Sequence, residues 1–165
     1  MEKLDSLNQV ATFHETFQHP IEAKPLIPAK QRCELRVSLI QEELRELEEA
    51  IENNDLIEVA DALCDIQYVL SGAILEFGLG SKFKSLFDEV QRSNMSKACT
   101  TEEEAQATVE HYQKNKDTEC YYKQVENLYL VYRSSDNKTL KSINYSPANL
   151  KKILEISDQK MPLPK

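Results

Sequence analysis

The chain has only three glycines in 165 residues, none of them before Gly72. Its first half can therefore turn only where proline or Asn/Asp allows, at His19-Pro20, Pro25, Pro28 and Asn53-Asn54-Asp55, and the stretches between must run on as long elements. Cysteine is sparse and scattered. Cys33, Cys64, Cys99 and Cys120 include no CxxC pair, which excludes a zinc site or disulfide framework of familiar spacing; Cys33 and Cys64 are expected to pack between helices. No apolar run approaches the ~20 residues of a membrane span. The opening MEKLDSLNQV lacks the charged-then-apolar pattern of a secretory leader, so no membrane partner and a cytoplasmic location are expected. Positive charge is short too, with 20 Lys and Arg against 28 Asp and Glu and a net charge of −8. That balance argues against a nucleic-acid partner, whose affinity comes largely from Lys and Arg displacing counterions. An acidic chain that handles phosphates needs metal ions to do so.

What is present is mostly helical periodicity. The breaks predict helices over about 3–18, 29–52, 55–77 and 81–95, the third ended by Gly78 and Gly80. A fifth, TTEEEAQATVEHYQK, opens on Thr101 as N-cap, with Glu104 completing a capping box. The composition then changes. CYYKQVENLYLVYRSSDNKTLKSINYSP alternates polar with Tyr and Val around a Ser-Ser-Asp-Asn turn, which predicts two or three short strands. A last helix is expected from about Pro147 through ANLKKILEI, with MPLPK as a frayed tail. The fold class is all-α, an antiparallel helical bundle with a small C-terminal β-hairpin appendage. Residues 1–98 form a helical catalytic core, and 99–165 an extension packed as part of one domain.

The third helix raises the main question. Leu56, Val59, Ala60, Leu63, Ile66, Leu70, Ile74 and Phe77 make one broad apolar face, and Ile57, Cys64 and Tyr68 make the other side barely polar. A helix apolar nearly all round is normally buried, so it should be sandwiched between helical layers, within the subunit or across a homodimer. Yet Glu58, Asp61 and Asp65 fall within about 60° of one another on its surface. Burying such like charges is costly unless something positive sits among them. The second helix carries Glu43 and Glu46 along the edge of its own apolar stripe, with Glu42 one step round. The short Asn53-Asn54 link folds the two helices into an antiparallel hairpin in which Glu46 and Asp61 lie equally far from the turn. From Glu42 through Asp65 there are ten acidic residues and one basic residue, Arg45. Glu48, Glu49 and Glu52 read as a solvated face. The remaining acids, hard oxygen donors on two rigid helices, suit Mg²⁺, with Mn²⁺ an alternative. Asp65 reads as an outer-sphere partner or a polar edge residue.

These acids resemble the ExxE…ExxD signature of the all-α nucleoside triphosphate pyrophosphohydrolases, a superfamily that includes the MazG-like enzymes, the dimeric dUTPases and phosphoribosyl-ATP pyrophosphohydrolase. FHETFQHP, RCELRVSLIQEELRELEEAI, DLIEVADALCDIQYVLSGAILEFG, FDEVQRSNMSK and NKTLKSINYSPANL resemble successive blocks of the phosphoribosyl-ATP pyrophosphohydrolase-like group; the segment at about 100–136 has no counterpart among them. The resemblance implies cleavage of a nucleoside triphosphate to the monophosphate and pyrophosphate. By that analogy Glu43, Glu46, Glu58 and Asp61 are the metal ligands, and Glu42 acts with Glu43 and Glu46 as the catalytic group, positioning or deprotonating the water; a solvent-facing neighbour of Glu43 is the competing reading of Glu42. Arg92, Asn94 and Lys97 cluster donors at the end of the fourth helix, where Lys97 either meets phosphate or only complements the helix dipole. Lys138, Lys141 and Tyr145 form a second donor group, introduced by Asn137 where the family pattern usually has Gly. His14 and His19 carry no catalytic role in this reading, and Phe13 and Phe17 are core or dimer contacts. The alternatives are phosphoribosyl-ATP hydrolysis, or a nucleotide-binding regulatory module of the same fold without turnover.

Overall fold

The computed structural model describes residues 4–155, and the tail MPLPK lies outside them. The chain divides into two compact units, Met1–Phe83 and Lys84–Lys165. The fold is all-α with one small two-stranded sheet.

The first unit holds α1 (Ser6–Thr16), α2 (Lys30–Glu52) and α3 (Leu56–Glu76), followed by a single 3₁₀ turn (Gly80–Lys82) where the sequence predicts the start of the fourth helix. Asn54 takes the left-handed conformation, φ 53°, and closes the α2–α3 turn. Asp55 caps α3, its carboxylate accepting from the N–H groups of Ile57 (3.0 Å) and Glu58 (3.2 Å). Gly78, at φ 65°, ends α3, and the backbone of the proline-containing segment 20–28 passes where a β-carbon would stand. That segment is tied to the end of α3 by Glu22 N–H to Leu75 C=O and Leu26 N–H to Phe77 C=O.

The third helix is not buried all round in the single chain. Ser71, Gly72, Ile74, Leu75 and Glu76 are buried, but Leu56 and Ile57 are each 79% exposed and Leu63 and Cys64 are exposed. The reason is length: α1 has 11 residues against 21 in α3, about 16 Å against 31 Å at 1.5 Å per residue, so it cannot cover the whole of α3. Cys33 is half-buried, its thiol donating to Pro28 C=O.

The second unit holds α4 (Phe83–Met95), α5 (Glu102–Lys116), β1 (Cys120–Val125), β2 (Leu128–Arg133) and α6 (Leu150–Glu155). The strands pair antiparallel from Cys120↔Arg133 to Val125↔Leu128, so the hairpin turns at Glu126-Asn127 rather than at Ser-Ser-Asp-Asn. The latter turn instead brings Thr139 back to bridge Tyr132, and Cys99 bridges Tyr129. Cys99, Ala105, Cys120, Val131 and Leu140 form the core. Thr101 caps α5 as expected, but the Glu104 carboxylate reaches one residue further back, to the Thr100 N–H (2.8 Å). Among the described residues no single helix is long and apolar enough to cross a membrane.

Candidate functional site

In the α2–α3 hairpin the two helices run antiparallel, so a step forward along α2 matches an equal step back along α3. Arg32 pairs with Glu76, and Arg36, one turn on, crosses Gly72, one turn back. Seven residues further, the same register sets Glu43 against Asp65. Asp65 is the side chain whose charge acts most strongly on Glu43, ahead of Glu46, Glu42 and Asp61. Asp65 is therefore a member of the acidic group, closer to its centre than the sequence indicated. Nearer the turn, Glu46 and Glu58 both line a cleft of about 340 Å³ together with Glu49, Ala50, Asn53 and Asp55. Glu46, Glu42 and Asp61 also act on Glu43, and Glu58 shares the turn-proximal cleft with Glu46.

Glu43 is the least solvated of these acids. Its Oε2 is buried without a hydrogen-bond partner, while Glu42, Glu46, Glu58, Asp61 and Asp65 are exposed. Burial, then the surrounding carboxylates, push its pKa above the usual range. As placed, no three carboxylate, imidazole or thiol side chains among the described residues stand close enough to hold one ion. The donors nonetheless fit a hard divalent cation: all are carboxylate oxygens, one is orphaned, and their mutual repulsion calls for positive charge.

The turn-distal end of the same seam carries a group that the sequence analysis passed over. Glu76, 1% exposed, accepts from Arg36 Nη2 (2.6 Å) and from Arg32 through both Nη2 and Nε (3.2 Å for the latter). Arg36 Nη2 also donates to His14 Nε2 (3.1 Å), and His14 Nδ1–H donates to Pro20 C=O (2.9 Å). Burial alone would raise the Glu76 pKa; the hydrogen bonds and charges of Arg36 and Arg32 outweigh it and hold the carboxyl below its ordinary range. Burial and the Arg36 charge lower the pKa of His14 against the opposing Pro20 hydrogen bond, keeping the ring neutral. The sequence did hold one signal: Glu76 stands at the buried end of an otherwise apolar helix, and such a carboxylate demands a cation.

In the second unit, Tyr145 O–H pairs with Ser93 Oγ (2.9 Å), Lys141 Nζ lies 4.2 Å from the Tyr145 ring centre, and Lys97 Nζ donates to Asn94 Oδ1 (2.9 Å). The Ser93 hydrogen bond, then the charges of Lys141, Lys97 and Arg92, lower the pKa of the phenol. Arg92 itself is committed elsewhere. It grips Glu89 through two hydrogen bonds and binds Ser146 Oγ and Pro147 C=O, and Glu89 is held down to about 2 by that grip. Lys138 sits at the turn after β2, where its N–H donates to Asp136 and its charge acts on that carboxylate. Asn137 stands at φ 57°, so the residue in the usual Gly position keeps the left-handed backbone that Gly would favour.

An all-α chain whose central helical hairpin lines its seam with carboxylates has the architecture of the all-α pyrophosphohydrolases. Residues 10–94, just over half of the chain, match the phosphoribosyl-ATP pyrophosphohydrolase family, and the chain belongs to that family. The family is one of hydrolases acting on acid anhydrides, typically dependent on a divalent metal. The chain is also 25% identical to an uncharacterized protein of Acanthamoeba polyphaga mimivirus, across 93% of this chain and 97% of that one.

Proposed function

We propose that the protein is a Mg²⁺-dependent nucleoside triphosphate pyrophosphohydrolase that cleaves a (d)NTP to the (d)NMP and pyrophosphate, and that it works as a homodimer. The observation that carries the reading is Glu43: a carboxylate with one oxygen buried and unpartnered, surrounded by four further acids, inside the segment that matches the family. Glu43, Glu46, Glu58 and Asp61 would hold the metal, with Asp65 completing the group around Glu43. A divalent cation held there would offset the substrate's charge and lower the pKa of a bound water. Glu42, exposed one step round α2, accepts the proton of the water that attacks the α-phosphorus. In the second unit Asn94, Lys97, Lys141 and Tyr145 supply cationic and polar donors for a polyanion; Arg92 and Lys138, engaged by Glu89 and Asp136, contribute less. The exposed Leu56, Ile57 and Leu63 on α3 are the apolar surface that a second copy would cover.

The family match supports a second reading, hydrolysis of phosphoribosyl-ATP by the same chemistry. The match ends at residue 94, leaving α5, the hairpin and α6 outside it. Incubating the protein and Mg²⁺ with each natural and damaged (d)NTP and with phosphoribosyl-ATP, and reading pyrophosphate, separates the two. Release from a (d)NTP alone supports the first reading, release from phosphoribosyl-ATP alone supports the second, and release from neither defeats both.

A further inference from the structure

The acids of the α2–α3 seam repel one another and do not themselves hold the two helices in register, whereas polar contacts tie the hairpin at the seam's two ends. At one end Asp55 and Asn54 close the turn. At the other, Arg36 lies across α3 at Gly72, where a β-carbon would meet its Nη1 at 2.6 Å and His14 Nε2 at 3.0 Å. Sliding α2 by one turn in either direction would carry Arg36 off this notch and onto Tyr68 or Glu76. We propose that Arg36 seated on Gly72, joined with Arg32 to Glu76, is a register key that sets Glu43 and Glu46 opposite Asp65 and Asp61 and so positions the carboxylates for a divalent cation without touching it. The inference rests on the reading of that seam as a metal site.

The key is built from buried parts. Glu76, His14 and Arg36 are 1%, 2% and 7% exposed, and they join α1, α2, α3 and the Pro20 backbone in one hydrogen-bonded chain. Arg36 and Glu43 lie two turns apart on nearly the same line of α2, so a shift at one is transmitted to the other along a rigid helix.

The test is direct binding of Mn²⁺ alone to the full chain, by electron paramagnetic resonance or calorimetry, with far-UV circular dichroism to monitor folding. Glu76→Gln is expected to weaken Mn²⁺ binding about 10-fold, the lower end of the ~10–100-fold lost in metal affinity when a group that orients ligands is removed. Gly72→Ala leaves every charge in place and raises helix propensity, yet it is expected to weaken binding about 3-fold by lifting Arg36 from its seat. Ile74→Ala, a buried change outside the key, should lower the melting temperature without moving Mn²⁺ affinity. Should Glu76→Gln fail to fold, Arg32→Gln at the more exposed guanidinium carries the same test. Undiminished Mn²⁺ affinity in Gly72→Ala and Glu76→Gln, or an equal loss in Ile74→Ala, overturns the key. If wild type releases pyrophosphate while the variants bind Mn²⁺ normally, the key fails and the reaction stands. If wild type binds Mn²⁺ but hydrolyses nothing, the reaction fails and the key is judged on binding. Absence of Mn²⁺ binding by wild type overturns both.

Discussion

Glu43 and Glu76 are the same residue type on the two arms of one helical hairpin, and the structure treats them oppositely. Glu76 is sealed from water between two guanidinium groups and its carboxyl is held down; Glu43 is half-buried among other acids, has an unpartnered oxygen, and is pushed up. A buried charge is tolerable when paired and hydrogen-bonded, and costly when it is not. The turn-distal half of the seam therefore carries its own cations, whereas the turn-proximal half leaves a buried carboxylate oxygen unpartnered.

The strongest way to break the contrast is to neutralise both glutamates in turn. Glu43→Gln is expected to lower pyrophosphate release about 10⁴-fold, several kcal/mol of lost transition-state stabilisation. The same variant should melt at a higher temperature than wild type in chelator, because a repelled carboxylate is gone, and should lose the upward shift that Mg²⁺ gives wild type. Glu76→Ala moves the other way. It leaves Arg36 buried without its anion and is expected to cost about 3 kcal/mol or more in urea unfolding, with or without Mg²⁺. A Glu43→Gln protein less stable than wild type in chelator would remove the basis of the comparison.

Most of the helical layout was legible because Pro and Asn/Asp breaks are local signals: α2 and α3 lie within a residue or two of their expected ends. The acid lines were legible for the same reason, since helical spacing places Glu43 near Glu46 and Asp61 near Asp65 without knowledge of packing. What escaped depended on the partner helix. Asp65 gained its rank only when α2 laid Glu43 against it, and Arg36, Gly72 and Glu76 mean little until the antiparallel register brings them together. The β1–β2 turn escaped because Glu126-Asn127 carries no glycine, with Glu126 itself at φ 55°, while the Ser-Ser-Asp-Asn turn is present and brings Thr139 back to bridge Tyr132. The third helix looked wholly buried because composition does not say how much of its surface the shorter α1 covers, and Leu56, Ile57 and Leu63 stay exposed.

A smaller effect sharpens the turn-distal half. His14 faces Arg36 on α2, Glu76 on α3, and His19 and the Pro20 carbonyl on its own side; its pKa is lowered in the folded protein from an ordinary value near 6.5. A lowered folded pKa means that the unfolded chain binds the proton more readily, so stability is complete above about pH 6.5 and falls as the pH drops toward the folded value. Wild type should lose melting temperature between pH 6.5 and 5, and His14→Gln should flatten that part of the curve. A slope unchanged in His14→Gln would assign the acid sensitivity to the carboxylates, of which Glu76, held down by Arg36 and Arg32, loses its contribution only at lower pH.

The smallest effect belongs to the turn that fixes the other end of the seam. Asp55 accepts from the N–H groups of Ile57 and Glu58, and loss of such an N-cap costs about 1 kcal/mol. Asp55 also adds one more negative charge to the cleft lined by Glu46 and Glu58, so Asp55→Ala removes a cap and a repulsion together. Asp55→Asn keeps the acceptor oxygen and removes only the charge. In chelator Asp55→Asn should therefore unfold at higher urea than Asp55→Ala, by the worth of the cap, and above wild type by a margin that narrows as salt screens the cleft. If Asp55→Asn gains nothing over wild type at low salt, the turn-proximal acids are too well solvated to feel one another, and the contrast with the turn-distal clamp reduces to burial alone.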